Sequence, residues 1–212
     1  SSDLAILYDA IIDTDLITPE QRRMLRAQMA YLAYQVVHPA TWCKARGWNS
    51  GNQNMTVSYE MEAPGVMAAA LPHHPAAEKW MKPARKMMDS LLDRVGPDGE
   101  WPEATGYANL SVSELLTFGI MATHTGFADY VNDPRLRRAV SFLIKVRQPP
   151  DPRTGGIRDH IRFGRSAGKT RALDGAMARA TRELDPEYSR HMEWTWLETL
   201  GPGAQSTALD MG

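Results

Sequence analysis

The chain has 212 residues, with 24 lysines and arginines against 25 aspartates and glutamates, and a single cysteine. That length suits one domain or a little more and is enough to bury a substantial core; the near-neutral charge gives no electrostatic argument for a nucleic-acid partner. Cys43 alone excludes an intrachain disulfide and reads as a small buried hydrophobe, no run approaches the ~20 apolar residues of a membrane span, and no signal-peptide pattern opens the chain.

Helix signals then follow one another along the sequence. Ser2 caps a first short helix to about Asp13. Thr18-Pro19-Glu20-Gln21 is a helix start, with Thr as N-cap, Pro at the first helical position and Gln at the third. Leu25, Met29, Leu32 and Val36 continue it at helical spacing until Pro39. The polar stretch from Thr41 to Asn54 reads as a loop. A third helix is expected from about Thr56 to Leu71, kinked or restarted at Pro64-Gly65. A fourth is expected from Pro75 to Val95, with Trp80, Met87, Leu91 and Val95 on one face and a kink or break at Pro83. Gly96-Pro97-Asp98-Gly99 is a turn by its chemistry. A fifth helix is expected from about Leu110 to Thr125, and Asp133-Pro134 opens a sixth with Leu136, Val140, Leu143 and Ile144 as its apolar positions. A Pro/Gly/Arg-rich loop from Pro149 to Gly164 precedes two last helices, Ala167 to Arg182 and Asp185-Pro186 to Leu200. The tail, residues 201–212, lacks periodicity and is expected to fray.

No alternating strand pattern appears, so the fold class is all-α. Helices joined by short turns favour antiparallel hairpins, and their recurrence suits a toroid or a solenoid.

Two polar segments interrupt the helices with residues that can carry chemistry, in the loops where binding groups usually sit. The first is Trp48-Asn49-Ser50-Gly51-Asn52-Gln53-Asn54-Met55. The second is Asp98-Gly99-Glu100-Trp101-Pro102-Glu103-Ala104-Thr105-Gly106-Tyr107. Asn52 and Asn54 read equally as helix caps, and Tyr107 as a buried tyrosine bonded to backbone. Trp48 and Trp101 could stack on sugars or fill the core. The six histidines show no metal-ligand spacing, so neither a metal nor a cofactor is expected. His160 lies among Arg153, Arg158, Arg162 and Arg165, a group able to hold carboxylates or simply to form a solvated loop.

The second segment resembles the Asp-Gly-x-Trp-x-Glu-Gly-x-x-Tyr signature of heparinase II/III-like and alginate-lyase-like polysaccharide lyases, with Ala104 in place of the second Gly. The first resembles the Asn-rich helix start that precedes it in that family, without the usual aromatic or His neighbour, since Met55 follows Asn54. Phe163-Gly164-Arg165-Ser166 resembles the later Phe-Gly-Asp-Ser turn, with Arg165 for Asp. The resemblance covers roughly residues 40 to 200.

It implies a partial α/α toroid over residues 1–200, without the β-sandwich domain that usually follows, and a periplasmic or secreted location. It implies an acidic, uronate-containing polysaccharide as substrate, cleaved by β-elimination, with no nucleic-acid or membrane partner. Asn54, Asn52 and Tyr107 would be the catalytic residues, sharing one cleft. Trp48, Trp101, Glu103, Arg153, His160 and Arg165 would bind substrate. Such a lyase removes the C5 proton alpha to a carboxylate and expels the 4-O-linked sugar. A preorganised Asn amide stabilises the enolate-like charge, and Tyr protonates the leaving oxygen. The base often comes from the following domain, so turnover by this chain alone is expected to be weak or absent. Two other readings stay open. A glycoside hydrolase on the same architecture would need a carboxylate pair among Asp98, Glu100 and Glu103, and a non-catalytic carbohydrate-binding or scaffold fragment would need none.

Overall fold

The structure is a computed structural model that describes residues 2–12, 14–38, 57, 61–159 and 173–200. Among these residues there are eight α-helices and no strand. They are α1 (Ser2–Ile11), α2 (Pro19–Val37), α3 (Ala63–Ala70), α4 (Ala77–Leu92), α5 (Thr105–His124), α6 (Pro134–Lys145), α7 (Leu173–Thr181) and α8 (Pro186–Leu200), with a 3₁₀ turn, η1, at Pro152–Thr154. The chain divides into two compact units, one of residues 1–91 and 117–129, the other of residues 92–116 and 130–212.

In the first unit, α2 starts as its sequence dictates. The Gln21 amide donates to Thr18 Oγ1 at 3.2 Å and the Thr18 amide donates to Gln21 Oε1 at 2.8 Å, so two orphan donors are satisfied reciprocally. The helix ends at Val37, with His38 extended (φ −68°, ψ 131°). Residue 39 is a proline, which disfavours helical backbone in the residue before it. Met29 and Ala33 of α2 are buried, and Arg26 donates through Nε to the hydroxyl of the buried Tyr8 on α1. Both α1 and α2 pack on α3.

Residues 63–69 of α3 are all buried. The helix restarts at Ala63 with Pro64 in its first turn, where a missing N–H costs nothing. Gly65 is required by proximity: a Cβ there would overlap the Phe118 ring and meet Ala84 Cβ at 3.1 Å. In α4, Trp80, Ala84, Met88 and Leu91 form the buried stripe. Of the kink or break expected at Pro83, the break does not occur: the helix runs through it. Pro83 lies inside α4 on its exposed side, next to exposed Lys82 and four residues after exposed Lys79. Water can therefore satisfy the carbonyl that loses its partner.

In the second unit, the turn after α4 closes through Gly96 N–H to Glu100 O (3.0 Å) and Gly99 N–H to Gly96 O (3.0 Å). Gly99 has φ +95°, and a Cβ there would run into the Arg138 carbonyl, so only glycine fits. Asp133 caps α6 by accepting from the Arg135 amide at 2.8 Å, and Leu136, Ala139, Val140 and Leu143 form the buried face of that helix. Ile144, grouped with them by spacing, is only partly buried.

Helices α7 and α8 form an antiparallel hairpin. The Asp185 amide donates to Thr181 O at 2.8 Å across the turn, Ser189 Oγ donates to Ala178 O at 2.7 Å, and the Trp196 ring lies 3.2 Å from where a Cβ on Gly175 would be. Contacts that climb one helix as they descend the other define the antiparallel sense. Arg137 locks α6 to the start of α8. Its guanidinium donates to Val131 O (2.9 Å), Asn132 Oδ1 (2.7 Å) and Asp185 Oδ2 (2.8 Å), and lies 4.6 Å over the Tyr188 ring.

Candidate functional site

The second polar segment builds a defined arrangement in the second unit. Trp101 follows the Gly96–Glu100 turn, and its burial anchors the chain before α5. The ring is 4% exposed and its Nε1–H donates to Glu103 Oε2 at 2.7 Å. The same oxygen accepts from Ser111 Oγ, also at 2.7 Å. One carboxylate thus ties the residue before the helix to the helix's second turn. A carboxylate at this end also complements the positive end of the α5 dipole.

Helix α5 starts at Thr105, five residues before the expected Leu110. Gly106 and Tyr107 therefore belong to its first turn rather than to a loop. Ala104, where the resembling motif has Gly, needs no special backbone: among the described residues no non-glycine residue has positive φ. Tyr107, Leu110, Ser111 and Glu114 fall at i, i+3, i+4 and i+7 and share a face of α5. Along that face exposure falls from Tyr107 at 40% to buried Glu114 and fully buried Ser111. Tyr107 is thus exposed, which removes the reading of Tyr107 as a core residue.

The other candidate residues separate clearly. Trp101 has no ring face left for a sugar, so the stacking role expected of it is corrected to an anchoring one. Glu103 is half-buried and held by two donors. Arg153 is exposed on η1, where it pairs with Asp151 at 2.9 Å; the same Asp151 accepts from the Arg153 amide at 2.9 Å. These bonds hold the Asp151 carboxyl below the usual carboxylate range. Asn52, Asn54, Trp48, His160, Arg165 and the Phe163–Ser166 turn lie outside the described residues, and with them the expected cleft. Among the described residues no three His, Cys, Asp or Glu side chains group as metal ligands, and no helix is long and apolar enough to cross a membrane.

Reading the sequence missed two features. Ser111 gave no signal, because its partner Glu103 precedes the helix. The pair Arg147–Asp174 is bidentate (NH1–Oδ2 2.6 Å, NH2–Oδ1 3.1 Å) and almost wholly buried, at 1% and 0% side-chain exposure. It fastens the start of the Arg-rich segment to α7. Arg147 lies just before that segment, and nothing in the sequence signalled its burial.

Compared with known protein families, curated proteins and solved structures, the chain matches none.

Proposed function

We propose that the chain is an α/α-toroid domain of the polysaccharide-lyase type that binds a uronate-containing polymer and promotes its β-elimination. The observation that carries this reading is Tyr107. It is 40% exposed on the first turn of α5, four residues after Glu103, whose carboxylate is pinned by Trp101 and Ser111. Its chain neighbourhood is the one that resembles the lyase signature. The antiparallel α7–α8 hairpin is a unit that a toroid repeats, as a solenoid also does.

In this reaction the C5–H proton leaves to a base, the C4–O bond breaks, and a C4=C5 double bond forms. The expelled oxygen takes a proton from the Tyr107 hydroxyl. The resemblance gives Asn54 and Asn52 the task of stabilising the negative charge that builds on the uronate carboxylate. Glu103 fixes the start of α5 and so the position of Tyr107, and Arg153 offers a cation on the surface. A secreted or periplasmic setting follows from the resemblance.

The test is a set of uronate polymers mixed with excess chain, following binding and the ultraviolet absorbance of the unsaturated product. Binding of at least one polymer with slow gain of absorbance is expected. Absence of both with every polymer would overturn the proposal.

A further inference from the structure

Helix α2 carries three arginines, Arg22, Arg23 and Arg26, against one acid, Glu20. Two of the arginines stand where an isolated helix disfavours cations. Arg22 closes the first turn, its amide donating to Thr18 O at 2.9 Å, so it lies near the positive end of the helix dipole. Arg26 follows one turn on, a like charge at i+4. Acids do not offset them. Among the described residues neither Arg22 nor Arg26 has a carboxylate within ion-pair distance, the exposed Glu20 and Asp9 included, whereas Arg85, Arg135, Arg137, Arg147 and Arg153 each hold one. The groups that Arg22 and Arg26 do touch are neutral. Arg22 NH2 donates to Thr14 O at 3.4 Å, and its Nε–H is buried without an acceptor. This half-buried guanidinium has lost water without gaining a counter-charge. Arg26 Nε donates to the hydroxyl of Tyr8, which is buried on α1. That bond holds the guanidinium in place and leaves NH1 and NH2 without an acceptor among the described residues.

We propose that Arg22 and Arg26 form an oxyanion site that takes a carboxylate or sulfate group. Residues at i and i+4 are neighbours on a helix, roughly 5–6 Å apart at Cβ. Tyr8 lies on α1 and Thr14 just after it, so the two guanidiniums share the side of α2 turned to that arm. One oxyanion between them balances the dipole end, the like-charge pair and the half-buried cation together. The planar guanidinium fork matches such a group through paired N–H donors. The group comes either from a free anion or from an acidic polymer. The polymer source rests on the lyase reading; the site itself does not, and it uses no residue of the Tyr107 arrangement.

Thermal unfolding of the 212-residue chain, with sulfate replacing chloride at constant ionic strength, tests the site. The general salt effect of sulfate moves every variant alike, so the differences between variants read the site. Sulfate should raise the midpoint of the unaltered chain by roughly 2–4 °C more than that of Arg22→Gln/Arg26→Gln. Arg22→Lys/Arg26→Lys keeps the charge but not the fork and should lose most of the same rise. Arg94→Gln/Arg190→Gln removes as much charge from two exposed arginines elsewhere and should keep it. Polygalacturonate then separates the two sources. A polymer-borne group predicts affinity at least about tenfold weaker in Arg22→Gln/Arg26→Gln than in Arg94→Gln/Arg190→Gln. Equal affinity, with the sulfate rise still lost, assigns the site to a free anion. Equal sulfate rises in the unaltered chain and in either α2 variant, or loss of the rise in Arg94→Gln/Arg190→Gln, would overturn the site. A site-dependent sulfate rise without polymer binding leaves the site standing and counts against the lyase reading.

Discussion

Glu103 and Arg147 show what single residues contribute and how differently they reveal themselves. Glu103 stood in a motif, so its importance was legible; its partners Trp101 and Ser111 were not, because hydrogen bonding depends on where the helix begins. Trp101 was open in the sequence between a sugar platform and the core, and its burial decides for the core. The Arg147–Asp174 pair was illegible because its members are 27 residues apart, with an Arg-rich stretch between them. Its energetic role is asymmetric. A buried pair adds little over an apolar replacement, but losing one partner strands the other charge in the core. Asp174→Ala should therefore lower unfolding stability by about 3–5 kcal/mol. Guanidinium denaturation at neutral pH measures this, and a loss under ~1 kcal/mol, the scale of an exposed pair, would show that the pair is solvated.

At the scale of the element, helix starts were legible wherever capping chemistry is local. The Thr18–Gln21 box and the Asp133 and Asp185 caps all form as their sequences dictate, Asp185 Oδ1 accepting from the Tyr188 amide at 3.2 Å. Thr18→Ala should cost about 0.5–2 kcal/mol, read as a lowered thermal midpoint, whereas Thr18→Asn should cost less. The start of α5 and the continuity of α4 were not legible. Gly106 looks like loop and Pro83 like a breaker, yet a first-turn glycine and a solvent-facing proline are both tolerated. The tight fit of α3 was also hidden, because Gly65 is separated by many residues from the Phe118 ring it touches. Gly65→Ala places a methyl group in that ring. It should destabilise the protein by about 1–3 kcal/mol, against the small gain that alanine normally brings to a helix interior; a more stable Gly65→Ala protein would show that Phe118 moves aside freely.

For the whole molecule, the all-α class was legible from periodicity and caps, and the described residues bear it out. The toroid was not, since helical hairpins close a ring or extend a solenoid according to small rotations that spacing does not encode. Acid sensitivity is a property of the whole charge set. Burial alone would raise the Asp133 carboxyl, but its hydrogen bonds to Arg135 hold it below the usual range, and Arg137 does the same for Asp185. A carboxyl depressed in the folded state contributes stability that is present above its unfolded value, near 3.9, and lost as pH falls through the folded value. Urea midpoints should therefore change little from these groups near neutrality and fall below about pH 4; Asp133→Asn should flatten that fall, and an unchanged acid limb would remove Asp133 from it. The function proposed for the chain turns on Tyr107. The most direct test compares product absorbance from the chain and from Tyr107→Phe on the polymer that binds best, with affinity measured in parallel. The expected result is slow product formation by the unaltered chain, a loss of at least roughly 10²-fold with phenylalanine, and equal affinity. Near-equal rates from the two would contradict a proton-transferring role for Tyr107.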